Sequence, residues 1–160
     1  MNKILEKLRD DKEYYSGVGR EYLSNSDIQN LLKNPSMFGV QRPDNINFAK
    51  GRLFHQLILE PAKAKEYLNT RVVECNTRNT SKYKTFIEDN NLEIALLKKE
   101  SDNIISLYKT MKGNIDFWNL IYSDNSEFEK PMIKEINGLM WKGKADVVGQ
   151  DYILDIKTGS

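Results

Sequence analysis

Lys144-Ala145-Asp146-Val147-Val148-Gly149-Gln150-Asp151-Tyr152-Ile153-Leu154-Asp155-Ile156-Lys157-Thr158-Gly159-Ser160, the end of the chain, decides how the rest is read. It has the pattern of two strands rich in β-branched residues joined by a tight turn. Side chains alternate across a strand, so Asp155 and Lys157 share one face while Tyr152, Leu154 and Ile156 share the other. The second strand therefore has a chemical face and a packing face. Two converging carboxylates can hold Mg²⁺, a hard cation that prefers oxygen ligands, and a neighbouring ammonium can steady or activate a water. Such a set suits phosphodiester cleavage.

The reading depends on register, because a slip of one residue would put Asp146 on the face opposite Asp155. Antiparallel pairing of Asp146 with Asp155 sets Gly149 across from Tyr152. That leaves Gln150-Asp151 as a two-residue loop, or Gly149 through Tyr152 as a looser one. An ordinary solvent-facing hairpin with scattered charges has the same spacing, so these strands alone leave both readings open.

Upstream, near Ser126, the pattern changes from helical to alternating. Glu127, Glu129 and Pro131 alternate with Phe128, Lys130 and Met132, and Ile133 through Ile136 lead into Asn137-Gly138, a strong hairpin-turn signal. Leu139, Trp141, Gly143, Ala145 and Val147 then share one face. Met140, Lys142, Lys144, Asp146 and Val148 share the other, which puts Asp146 beside two lysines. Pro131 predicts an edge position or a strand start. Three antiparallel strands are expected here.

The preceding sequence is mostly helical by period. Ile4, Leu5 and Leu8 predict a short amphipathic helix from Met1 to about Asp11, broken by Tyr14 to Gly19. Leu23 to Ile28 carries capping side chains, and Ile28, Leu31 and Leu32 form an apolar stripe that Pro35 ends. After a polar loop around Gln41 to Asn47, Gly51 opens a helix bearing Leu53, Phe54, Leu57 and Ile58, closed by Pro61. His55, the only histidine, lies beside that stripe, where a core or boundary role is the plainer reading. Arg71 to Cys75 allows a short strand. Arg78, Lys82 and Lys84, with Tyr83 and Phe86, read equally as a phosphate-gripping, base-stacking surface or as a solvated helix start. Leu92 to Leu97 and then Ile104 to Met111 predict helix ending near Gly113. Phe117, Trp118, Leu120 and Ile121 are core material.

Composition bounds the classes. The chain has 160 residues, 39% hydrophobic and 29% charged, which suits one domain with a core. A net charge of +1 gives no global basic footprint, so a DNA-binding surface has to be local. The single Cys75 forms no internal disulfide and has no zinc-ligand spacing around it. No apolar run approaches the roughly 20 residues of a membrane span, and no signal-peptide core is visible. The expectation is a cytoplasmic protein, in the host cytoplasm if it is phage-encoded.

Gly143-Lys144-Ala145-Asp146, an eight-residue gap, and Asp155-Ile156-Lys157-Thr158 resemble the PD-(D/E)XK nuclease superfamily, in particular its exonuclease VIII (RecE-type) nuclease domains from phage recombination modules. Ala145 stands where the superfamily name has Pro. Ser24 and Ser26 ahead of Asn34-Pro35 and Phe38 are similar to the opening of such nucleases. Gly51-x-x-x-His55 with Leu59-Glu60-Pro61 is similar to the family helix whose histidine joins the carboxylates at the metal.

The resemblance implies an α/β (α+β) fold in one domain over 1–160. A helical part, about 1–125, packs on a small mixed sheet with its catalytic strands at about 126–158, in a restriction-endonuclease-like core. Family members continue past the D-x-K strand with a helix and further strands, so the core is expected to be incomplete at its C-terminus. The resemblance also implies a metal-dependent DNA exonuclease acting in phage-type recombination or repair. Asp146, Asp155 and the Ile156 carbonyl bind Mg²⁺ or Mn²⁺ in this reading, His55 and Glu129 complete that site or a second one, and Lys157 orients the water. Glu127 lies on the face of Glu129 and competes for its role. DNA is the expected partner, through Arg78, Lys82 and Lys84, with a homo-oligomer or a recombination protein as further partners. A non-cleaving nuclease-fold module that binds DNA or protein is the alternative, and a plain interaction domain with surface carboxylates is a third reading.

Overall fold

The computed structural model describes residues 2–40 and 43–158. Met1, Gln41 and Arg42 of the expected N-terminal helix and polar loop, and Gly159 and Ser160 of the terminal stretch, lie outside the described residues. In chain order the elements are α1 (Asn2–Lys7), α2 (Asp11–Tyr15), α3 (Asn25–Lys33), α4 (Ile46–Leu59), α5 (Pro61–Thr70), β1 (Val72–Val73), α6 (Ser81–Asp89), β2 (Leu96–Leu97), α7 (Lys98–Lys112), α8 (Ile115–Ile121), β3 (Glu127–Ile136), β4 (Leu139–Val148) and β5 (Ile153–Leu154). The fold is mixed α and β with small sheets. Among the described residues no helix is long and apolar enough to cross a membrane.

The chain divides into two compact units. The first, Met1–Gln41 with Ser123–Asp155, brings α1 to α3 together with the strands β3-β4-β5. All of its strand pairs are antiparallel, and β3 is an edge, which is where Pro131 belongs. The β3–β4 turn has Asn137 at φ 53° and Gly138 at φ 76°, the two left-handed positions that a type I′ turn demands. Away from β5, the free edge of β4 is taken up by Leu23, whose N–H donates to Met140 O at 3.0 Å and whose carbonyl accepts from Lys142 N at 2.8 Å. Leu8 and Val147 are fully buried in this unit, with Tyr14 and Ala145 nearly so.

Two helices stand where one was expected at the N-terminus. Asp10 accepts from the Glu13 N–H at 3.0 Å and so caps a new helix, and the break falls before Asp11, leaving Tyr14 and Tyr15 helical. In α3 Ser24 and Asp27 form a capping box, as the spacing implied. The stripe Ile28, Leu31 and Leu32 faces outward, however, with Leu32 80% exposed, while Asn30 is the buried residue.

The second unit, Arg42–Tyr122 with Ile156–Ser160, is mostly helical. Asn45 caps α4 by accepting from the Asn47 and Phe48 N–H groups, so Gly51 lies within that helix and does not open it. Pro61 begins α5, where its missing N–H costs nothing. Leu53, Ala49, Tyr67 and Leu96 form one buried cluster, and Val73, Tyr83 and Ala95 another. The apolar run Leu92 to Leu97, expected to be helical, ends instead in β2, which pairs in parallel with β1. A short apolar run spans too few residues for its period to separate strand from helix. The expected mixed sheet is thus two separate pieces, one antiparallel and one parallel.

Candidate functional site

Local sequence builds a row of carboxylates across the first unit. The β3–β4 register pairs Phe128 with Val147 and Lys130 with Ala145, so the intervening Glu129 stands across from Asp146. On the other side β4 pairs with β5 as Val147 with Leu154 and Val148 with Ile153, and one further step sets Asp155 across from Asp146. The Gly149 N–H donates to Tyr152 O at 3.0 Å, closing the loop around Gln150-Asp151. Gly149 is required there because the Tyr152 ring occupies the space a Cβ would need. The Tyr152 hydroxyl and Ser123 Oγ share a hydrogen bond of 2.5 Å that ties the loop down. The paired residues are in the register the alternation predicts, and the ladder ends at Leu154, one residue before Asp155.

Glu129 and Asp146 offer carboxylate oxygens within 4.8 Å of each other. Glu129 has φ 46°, inside an otherwise extended strand. A side chain in the left-handed region costs roughly 1–2 kcal/mol, and such outliers persist where the surroundings hold them. Glu129→Gly is therefore expected to melt no lower than the unmodified chain in the absence of metal, since it relieves the backbone and one carboxylate repulsion. A clear fall in Tm would show that the contacts of the side chain outweigh its strain.

The register also separates the two glutamates on β3. Glu127 stands across from Val148, exposed, and pairs with Lys130 at 2.6 Å and Arg9 at 3.7 Å. The Lys130 hydrogen bond is the main cause holding its carboxyl below the usual range. Glu129, by contrast, is half-buried. Near it, Tyr14 is pushed up to about 12, first by burial and then by the Tyr15 and Glu129 charges. Lys142 is pulled down, first by burial, with Asp27 opposing and Arg20 and Lys144 adding to the shift.

Burial alternates from Tyr152 to Lys157. Tyr152 and Leu154 are half-buried and Ile156 is buried, while Ile153, Asp155 and Lys157 are exposed, matching the expected packing and chemical faces. His55 sits half-buried on α4 of the second unit. In the expected basic cluster, Arg78 is committed to Glu100 at 2.5 Å, and Glu100 also faces Lys50 at 3.5 Å. Tyr83 is buried, its hydroxyl donating to Ala95 O and accepting from Ala95 N. Base stacking on Tyr83 is therefore closed off, and Lys82 and Lys84 are the exposed cations of the group. Sequence reasoning missed Asp11, Tyr14 and Tyr15, which gather around Lys144. Only the shared face of Lys144 and Asp146 hinted at that neighbourhood.

No curated protein and no solved structure gives a significant match to the chain. A family model does, the PDDEXK-like domain of unknown function DUF3799, over residues 36–160. That span includes β3, β4, β5 and all three carboxylates of the row. The chain belongs to this PDDEXK-like family, a nuclease-type fold.

Proposed function

We propose that the chain carries a metal-dependent nuclease centre that hydrolyses DNA, as an exonuclease of the exonuclease VIII type in phage-like recombination. The observation that carries the reading is the pair Glu129 and Asp146 on adjacent strands, with carboxylate oxygens within 4.8 Å of each other and Asp155 one residue past the end of β5. The donors fit a hard divalent cation, because carboxylate oxygens within 4.8 Å of each other repel unless a cation or proton lies among them. Asp146, Asp155 and the Ile156 carbonyl would hold Mg²⁺ or Mn²⁺, with Glu129 completing the set. When bound, such an ion neutralises phosphoryl charge and makes water a better nucleophile at neutral pH.

Lys157 orients the attacking water and offsets the charge that develops as the P–O bond breaks. Ile156, between Asp155 and Lys157 in sequence, is buried while its two neighbours are exposed. Lys82 and Lys84 supply local phosphate contacts that a net charge of +1 does not otherwise provide.

The test is digestion of linear and closed-circular DNA by the unmodified chain and by Asp155→Ala, with Mn²⁺ or Mg²⁺. Cleavage of linear DNA alone, lost in the variant, is the expected result. Cleavage that survives Asp155→Ala would overturn the site assignment. Mn²⁺ binding without any cleavage would overturn the enzymatic reading in favour of a DNA- or protein-binding module.

A further inference from the structure

Lys144 is an enclosed cation of the first unit. Its side chain is 7% exposed, and a buried ammonium is tolerated only when it is paired. Four groups supply the pairing, from two elements. From α2, Asp11 Oδ1 accepts from Nζ at 2.8 Å, and the Tyr14 and Tyr15 rings stand with centroids 4.7 and 5.9 Å from Nζ. From β3, Glu129 Oε2 lies at 3.9 Å. Lys144 is also two residues from Asp146 on the same face of β4, so its charge sits at the margin of the carboxylate row.

The distances rank these partners. Asp11 is at hydrogen-bond length, while Glu129 at 3.9 Å is an ion pair without one. Lys144 can therefore release Glu129 and keep Asp11 and both rings. Lys142 reinforces the anchor, since its Nζ donates to Tyr14 O at 2.6 Å and stands 4.5 Å from the centre of the same ring. Glu129 in turn holds a left-handed backbone that points to constraint from its surroundings.

We propose that Lys144 is a positioning residue, a built-in counter-cation that holds Glu129 beside Asp146 until a divalent ion takes over, with Asp11 as the anchor that draws it back. This rests on the nuclease-centre reading above. Lys144 competes with the divalent ion for Glu129, and Asp11 weakens that competition. The two residues thus act on metal affinity with opposite signs, which a purely structural ion pair does not.

The experiment is calorimetric titration of the full chain with MnCl₂, comparing the unmodified chain, Lys144→Met, Lys144→Arg and Asp11→Asn, each first shown to be folded by circular dichroism. Lys144→Met is expected to bind Mn²⁺ roughly tenfold more tightly, because a like charge a few ångströms from the ion is gone. Lys144→Arg keeps the charge and should return the affinity toward that of the unmodified chain. Asp11→Asn is expected to weaken binding several-fold, as the ammonium then turns wholly to Glu129. Lys144→Met and Asp11→Asn shifting in the same direction, or both leaving the affinity unchanged, would overturn the inference while the nuclease centre stands. If Lys144→Met fails to fold, Asp11→Asn and Lys144→Arg decide it: weaker binding by Asp11→Asn beside near-unchanged binding by Lys144→Arg supports the inference, and unchanged or tighter binding by Asp11→Asn overturns it. No Mn²⁺ binding by the unmodified chain would sink the metal-centre reading itself, and this inference with it.

Discussion

Asp146→Asn is expected to lower DNA hydrolysis by about 10³-fold, the scale on which removal of one preorganised electrostatic contact acts. Asp146 stands across from Glu129 with carboxylate oxygens within 4.8 Å of each other, and it precedes Val147, the residue that pairs with Leu154 at the end of β5. Asn keeps the shape and one carbonyl oxygen but surrenders the charge. The metal-free chain should therefore melt at or above the temperature of the unmodified chain, because a repulsion has been relieved. The rise in Tm that Mn²⁺ produces should shrink, because ligand-induced stabilisation follows affinity. Paired melts with and without Mn²⁺, beside a digestion assay, separate these effects. A variant that loses activity and also melts much lower without metal would mean that Asp146 is a structural residue and not a ligand.

Leu53→Ala should give the largest loss of stability in the second unit, about 2–5 kcal/mol. Leu53 is fully buried with Ala49, Tyr67 and Leu96, and Ile46, Leu57, Leu68, Val72, Ile94 and Ile104 close around the cluster. The neighbours come from α4, α5, β1, β2 and α7, so a truncated side chain leaves a void that five elements cannot all move to fill. Urea unfolding followed by circular dichroism measures the loss. A change below about 1 kcal/mol would indicate a loosely packed cluster that collapses onto the gap.

Much of the candidate site was legible because it is built from neighbours along the chain. Asn137-Gly138 and the short loop at Gln150-Asp151 join adjacent strands, so turn chemistry and alternation were enough to predict the antiparallel register that pairs Val147 with Leu154. The division of Tyr152 to Lys157 into a packing and a chemical face followed in the same way. Helix limits were less legible, as with Gly51 inside α4, because the Asn45 cap upstream set the start.

The remainder depended on groups far apart in sequence. Glu127 and Glu129 look alike by alternation, and only the pairing with β4 and the left-handed backbone at Glu129 tell them apart. Leu96 and Leu97 became part of a parallel ladder because β1, more than twenty residues earlier, was there to receive them. Arg78 reads as a free cation until Glu100, 22 residues on, neutralises it. Alternation places Lys144 on the face of Asp146, yet its partner Asp11 lies 133 residues away in the chain. Period and turn chemistry act over a few residues and so dictate faces and registers, whereas the partner of a buried charge is chosen by which distant segments pack together.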